Sequence, residues 1–346
     1  MIRTKLFLRA FAALGAQTTT VLFGPPRQGP ADDEHDVIRW APWLTIPASF
    51  IPAINSLRRS DTAMIMSALL FMTAVYARVL RRKVLWDAHA CESQYHFRYF
   101  KRSGSLMALV RAFVWYGLET LSAIASTRII AVSDVDRAMW ARRYPWAQAR
   151  LFVLETAVDA SVREHGNGTE PPIKVRDREF VVAVGNFEAK HNRQAAVWAI
   201  NSDEFRSVLR RYSVSCILVG RQSEEFTTPD GCVRGIGPVA DVVPYLARAR
   251  ACLAPLPDAN GLSTKVIDYL RFGRAVIATP AALGGFEFPP GLPVVSCGLG
   301  QFAPAVSRLL GHPVDPVQSA NMRRWASDRF SMERFICGTR RLLELL

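Results

Sequence analysis

The sequence predicts an α/β protein made of two Rossmann-like domains that face each other across a cleft. Three observations carry that expectation. Short apolar runs alternate with helix-period stretches along most of the chain, the pattern of parallel sheets with helical crossovers. The alternation breaks once, at the polar, Gly- and Pro-containing "ASVREHGNGTEPPIKVRDRE", and then restarts. The 346 residues suffice for two domains, and a 50% hydrophobic content supplies two cores. The expected divisions are 1–160, a linker at 161–179, 180–330, and a terminal helix at 331–346.

Taken in order, "MIRTKLFLRAFAALGAQ" has a basic start and an Ala-rich end, but Arg9 interrupts its apolar stretch. It reads as an amphipathic helix rather than a signal peptide. Strands are expected at 18–23, 37–40, 62–66, 83–86, 128–132 and 151–154, with helices between most of them. The apolar run 62–80 is nearly long enough to span a bilayer. It follows Asp61 and leads into "RRKVLWDAHA", so a strand at 62–66, a helix at 67–82 and a strand at 83–86 explain it without lipid. After the linker the expected strands are "FVVAVG", "VSCILVG", "ACLAPL", "AVIAT" and "PVVSC", with a helix at 239–249 and two or three helices to close.

The charge is lopsided. Residues 1–150 hold 20 Lys and Arg against 10 Asp and Glu, whereas 151–346 hold 23 against 20. Within the basic part, "QYHFRYFKRSGSLMALVRAFVWYGLE" interleaves cations and aromatics ahead of an apolar helix, a composition that suits an anionic membrane surface. No nucleic-acid-binding motif accompanies the charge, so nucleic acid is not the expected partner. The six cysteines are scattered, with no C-x-x-C, which favours packed thiols in a reducing compartment over disulfides or a metal cluster.

The most specified stretch is "GLSTKVIDYLRFGRAVIATP", Gly261 to Pro280. It follows the strand "ACLAPL", and ligands of open α/β sheets sit at the carboxyl ends of strands. Gly261 lets a ligand approach the backbone. Ser263 or Thr264 can cap the helix, whose free N–H groups attract phosphate oxygens. Lys265 adds a point charge in the first turn. Asp268 and Tyr269, three and four residues on, are expected on the Lys265 face, while Val266, Ile267 and Leu270 pack on the sheet and Gly273 ends the helix.

That stretch resembles the donor signature of GT-B glycosyltransferases, in particular the large bacterial group that reads roughly "G-L-P-x-K-x-x-E-Y-x-x-x-G-x-P-V-V-A-T". The resemblance implies the GT-B fold, and contacts from Lys265 to the diphosphate of a UDP- or GDP-sugar and from Asp268 to its ribose. "VLWDAHACE" resembles the segment that brings catalytic residues to the cleft, here Asp87 as general base and His89 to orient it or stabilise the donor. "FVVAVGNFEAKHN" is similar to the opening of the donor domain, with Lys190 as a second phosphate-binding cation. Asn186 stands where an arginine is usual, which weakens the phosphate clamp or shifts it to Arg221. The acidic residue common before the signature helix is replaced by Gly261, leaving Asp258 the nearest carboxylate, so an inverting reaction is slightly favoured. Relatives begin with a strand where this chain begins with a helix, so the first strand is absent or the true start lies upstream.

The resemblance therefore implies a sugar transferase of surface polysaccharide or glycolipid synthesis, with no obligatory metal and no resident cofactor. Its acceptor would be lipid-linked, and the protein would be cytoplasmic and peripheral on the membrane. An inactive partner subunit and a sugar-nucleotide epimerase of the same fold are the alternatives.

Overall fold

The structure is a computed structural model that describes residues 2–18, 55–158, 179–258 and 262–346. The strands expected at 18–23 and 37–40 and the linker 161–179 lie outside the described residues, apart from the irregular end residues 18 and 179. The chain forms two units, Met1–Glu155 with Phe335–Leu346, and Thr156–Arg334.

The first unit contains a four-stranded parallel sheet in the order β1 (Thr62–Ile65), β2 (Lys83–Asp87), β3 (Arg128–Ala131), β4 (Leu151–Val153). Its first helix, α1 (Ile2–Ala13), forms where the sequence places it. The apolar run after β1 enters a short 3-10 turn, Ala68–Leu70, capped by the Ser67 side chain, and continues as α2 (Phe71–Val79). Two helices follow β2: α3 (Glu92–Ser103), which ends at Gly104, and α4 (Leu106–Ala125), which Ser105 caps. After β3, Ser133 caps α5 (Asp134–Arg143), accepting a hydrogen bond from the Asp136 amide, and Asp134 and Asp136 complement the helix dipole in its first turn. Trp86 and Trp140 meet edge to face at 5.2 Å in the core of this unit.

The second unit holds six parallel strands in the order β10-β9-β8-β5-β6-β7. These are β5 (Phe180–Val184), β6 (Ser215–Val219), β7 (Val233–Gly235), β8 (Ala251–Ala254), β9 (Val276–Ala278) and β10 (Val294–Ser296). Counted from β5, this is the doubly wound order of a dinucleotide-binding sheet, and the strand order reverses between β5 and β8. Both faces of the sheet are covered. Val182, Cys252 and Val276 belong to one core cluster, and their neighbours Val181, Leu253 and Ile277 belong to the other, as the period of two along a strand requires. The β7 strand was not expected, because its three residues "VRG" carry no apolar run. The segment between β5 and β6 holds two helices, α6 (Lys190–Asn201) and α7 (Asp203–Arg211), separated where Ser202 caps the second.

The helix expected at 239–249 is shorter, α8 (Val243–Arg248), with Pro244 in its first turn. The signature helix is α9 (Thr264–Arg271). Gly273 follows it with φ +62°, and a Cβ there would lie 2.5 Å from Ser319 Oγ, so both backbone and space require glycine. The chain closes with α10 (Pro280–Leu283), α11 (Phe302–Gly311), α12 (Pro316–Arg329) and α13 (Met332–Glu344). Phe335 on the last of these meets Phe7 of α1, ring edge to face, at 5.0 Å. All six cysteines are free thiols, four of them buried.

Candidate functional site

In the second unit the loops after β5 and β8 leave adjacent strands at the point of strand-order reversal. The first loop starts at Gly185, whose amide bonds to Val219 O. Gly220, on the neighbouring loop, has φ +134°, and a Cβ there would stand 1.9 Å from Gly185 O. No other residue fits that position. Asn186 then makes an Asx turn, its Oδ1 accepting from the Glu188 amide at 3.1 Å. Its backbone carbonyl accepts from Asn192 Nδ2 at 2.7 Å, and Asn192 Oδ1 accepts from Lys265 Nζ at 2.5 Å. This chain of bonds ties the β5 loop to the first turn of α9. The amide of Asn192 is buried, so the link is held without competition from water.

The entry to α9 fits an anion. Ser263 occupies the cap position, yet its side chain accepts no hydrogen bond from the helix start. The Val266 amide donates to Ser263 O at 3.0 Å, and no side-chain cap covers the amides before it, which can therefore meet a ligand. Desolvation pulls the Lys265 ammonium down to about 8, and no carboxylate pairs with it among the described residues. One turn on, desolvation raises the Asp268 carboxyl to about 6, with Arg271 offsetting part of the effect. Lys265 has no paired carboxylate among the described residues, and Arg271 compensates Asp268 only in part. Such groups are characteristic of binding and catalytic sites.

Tyr269 corrects the sequence reading. It is not on the ligand face but wholly buried; its hydroxyl accepts from the Val184 amide at 2.8 Å and donates to Leu253 O at 3.4 Å. The tyrosine pins α9 to β5 and β8, the two strands that flank the reversal. Four residues advance about 400°, so position 269 sits about 40° round from Lys265 on the Val266 side, while Asp268 sits about 60° round on the other side.

The other expected donor residues are unevenly placed. Lys190 opens α6 and is exposed, Arg221 is exposed, and the Arg221 carbonyl accepts from the Phe187 amide at 2.9 Å. Asp258 is buried, at 8% exposure. Thr264 is exposed as the first residue of α9, and Gly261 lies outside the described residues. One residue the sequence reading missed joins this group. The imidazole of His191 is lowered by desolvation and by Lys265, against a raising effect from Asp258, so these three side chains share one environment. The signal was present in "AKHN", where the histidine follows the expected lysine directly.

In the first unit the strand end after β2 carries Asp87 and His89. Asp87 is 1% exposed, and Arg3 from α1 grips both of its oxygens, with Nε at 2.9 Å from Oδ2 and an Nη at 2.7 Å from Oδ1. Burial alone would raise this carboxyl, but Arg3 and His89 hold it below its ordinary value. That arrangement tells against Asp87 as the general base. A buried carboxylate locked to a guanidinium is a poor base and a good anchor. His89 is the exposed member, with 46% of its side chain accessible. Its Nδ1 lies 3.3 Å from Asp87 Oδ2 and 3.2 Å from Asp87 O. The hydrogen bond to Asp87 raises the imidazole above its ordinary value, against desolvation. Beside the pair lies a cavity of about 90 Å³ lined by Asp87, His89, Trp86, Trp115 and Glu119.

Residues 178–312 match the family model described as Glycosyl transferases group 1. The second unit is accordingly a group 1 glycosyltransferase domain, and the chain has the GT-B fold. Among solved structures, a glycosyltransferase from Rickettsia africae ESF-5 matches with a TM-score of 0.71 and 11% identity, over 99% of this chain and 93% of that one. Sucrose-phosphate synthase from Thermosynechococcus elongatus gives 0.70 and 17%, over 99% and 92%. HepE from Anabaena, solved in complex with UDP-glucose, gives 0.65 and 15%, over 90% and 86%. No curated relative matches the sequence.

Proposed function

We propose that this chain transfers a sugar from a nucleoside-diphosphate sugar to an acceptor hydroxyl, with the donor diphosphate held at the start of α9. The observation that carries the reading is the desolvated Lys265, fixed by Asn192 at a helix start with no side-chain cap and without a paired carboxylate among the described residues. A diphosphate supplies the missing negative charge. The ribose hydroxyls then fall to Asp268. HepE is similar in fold and was solved with UDP-glucose, which supports a uracil nucleotide as the first donor to try and leaves GDP-sugars as the second.

The chemistry follows from the residues. When the acceptor oxygen bonds to the anomeric carbon, the bond from that carbon to the diphosphate breaks and negative charge develops on the leaving group. Lys265, Lys190 and the helix amides stabilise that charge in a partly water-excluded setting; the reading assigns this task to side chains and amides rather than to a resident metal. The acceptor proton goes to a base. His89 fits that role better than Asp87, because its Nδ1 is engaged by Asp87 and its Nε2 is left to accept. An oriented imidazole favours inversion at the anomeric carbon. The basic first 150 residues support a lipid-linked acceptor at the cytoplasmic face of a membrane, and hence a step in surface polysaccharide or glycolipid synthesis.

Calorimetric titration of UDP and GDP into the wild type and Lys265→Ala tests the donor site. The reading expects a saturable site for one of them, weakened by about ten- to hundredfold in the variant, the worth of a charge-assisted contact. Equal affinity in both proteins sinks it. Once a donor is found, His89→Gln is expected to lower kcat by about a hundredfold or more while leaving nucleotide affinity unchanged. In the wild type the rate should rise with pH through a value above the ordinary histidine range, because only the neutral imidazole accepts the proton and Asp87 raises its pKa. Release of UDP from the donor with no acceptor present points instead to epimerase-type chemistry.

A further inference from the structure

Helix α4 buries small side chains and exposes most of its large ones, Trp115 and Leu118 being half-buried against the core. Its inward residues include Ala108, Ala112, Ser122, Ala123 and Ala125, all buried. Facing outward are Leu106 at 73% exposure, Phe113 at 68% and Ile124 at 58%, with Val110, Val114 and Leu121 also exposed. A helix in a water-soluble fold is expected to do the opposite, turning its large apolar stripe to the core. Over twenty residues α4 is apolar enough by length and composition to cross a membrane. Yet Ala108, Ala112 and Ala123 seat it on the first unit. The neighbouring α2 repeats the inversion, with Ala74 and Ala77 buried and Met72, Val75 and Val79 exposed. The two helices pack against each other, so their apolar side chains belong to one surface. Isolated exposed apolar residues are ordinary, but a contiguous set of this size marks an interaction surface.

The surrounding charge identifies the partner. Residues 62–125 contain eight Lys and Arg and three acids, Asp87, Glu92 and Glu119. Two of those acids, Asp87 and Glu119, are buried. The exposed cations include Arg78 at the end of α2, Lys101 and Arg102 at the end of α3, and Arg111 on α4. Lys101 sits over the Phe97 ring at 4.9 Å. Aliphatic side chains surrounded by cations complement a bilayer with anionic headgroups, since the chains enter the acyl boundary while the cations stay among the phosphates. Nucleic acid fits less well, because the outward face is mostly aliphatic, with Leu106, Val110, Val114, Leu121 and Ile124 around Phe113, and bases stack on aromatic rings.

We infer that the outward faces of α2 and α4 form a docking surface for anionic lipid bilayers, with α4 lying in the plane of the interface. The inference is independent of the sugar-transfer reading. Its test is co-sedimentation of the full chain with phosphatidylcholine vesicles, alone or with one part phosphatidylglycerol to two parts phosphatidylcholine. The comparison variants are Val110→Ser with Phe113→Ser, and Arg111→Glu. The wild type is expected to bind the mixed vesicles and to bind pure phosphatidylcholine more weakly. The double variant should lose about tenfold or more in partitioning, and Arg111→Glu a smaller factor that vanishes at high salt. UDP titration of each variant confirms that the fold survives, and it separates failure of this surface from failure of the donor site. Three outcomes overturn the inference: a wild type that ignores both vesicle types; a double variant that binds as the wild type does; or a vesicle-free dimer that the double variant dissociates, which assigns the surface to a second copy of the chain.

Discussion

Asp87 in the first unit and Asp268 in the second are both carboxylates largely withdrawn from water, and they carry opposite shifts. Asp87 is held below its ordinary value because Arg3 grips both oxygens and His89 adds a third contact. Asp268 is pushed up to about 6 because nothing comparable meets it, and Lys265, one turn away, is pushed down to about 8 for the same reason. Burial is the common cost. What differs is compensation: in one place the chain supplies the counter-charge, and in the other the described residues supply it only in part, which on the proposed reading leaves the task to a ligand. The contrast separates a carboxylate that the fold has paired from one that it has compensated only in part.

Removing Arg3 should break the contrast most severely. Arg3→Ala leaves a buried carboxylate with only His89 beside it, a loss of about 3–5 kcal/mol, to be read as a lower midpoint in denaturant unfolding of the full chain. Asp87→Asn in the same background should recover part of the loss. The pH dependence has a definite sign. Because the native pKa of Asp87 is depressed, its stabilisation is complete above the unfolded carboxylate value and disappears as pH falls through the lower native one. Acid destabilisation of the first unit is thus expected to set in only below about pH 4. If Arg3→Ala is neutral, the anchor reading is wrong.

The opposite result is expected at the receptive site. Asp268→Asn removes a carboxylate whose charged form is disfavoured in the folded chain. At pH 7 it should stabilise the protein by about 1–2 kcal/mol, a gain that shrinks as pH falls below about 6. The same variant should bind UDP more weakly, the trade expected where a site is kept costly for function. A thermal melt with and without UDP checks both halves. A destabilised variant would mean that the carboxylate has a partner in the fold after all.

Much of the architecture was legible in the sequence, because strands read as short apolar runs and the parallel order follows from alternation with helices. The elements missed are those that lack such a pattern: β7, whose "VRG" is too short to show periodicity, and the junction of α6 and α7, where one capping serine divides a continuous helical stretch. At the site, Lys265 and Asp268 were readable from spacing, whereas Tyr269 was misplaced because four residues advance slightly more than a full turn. The Arg3 grip on Asp87 joins positions 84 residues apart, and the Lys265 to Asn192 bond joins positions 73 apart. No local pattern announces either. The inverted faces of α2 and α4 were hidden for a related reason, since a sequence shows that a helix is apolar but not which side the fold covers.

The central claim, that Lys265 awaits a diphosphate, is tested most directly by proton linkage. With its ammonium near 8 in the free protein, Lys265 is about half protonated at pH 8. A bound diphosphate favours the charged form, so UDP binding at that pH should take up about half a proton. Calorimetry in two buffers of different ionisation enthalpy measures the number. Uptake in the wild type that disappears in Lys265→Met is the expected result; proton release, or equal uptake in the variant, contradicts the account.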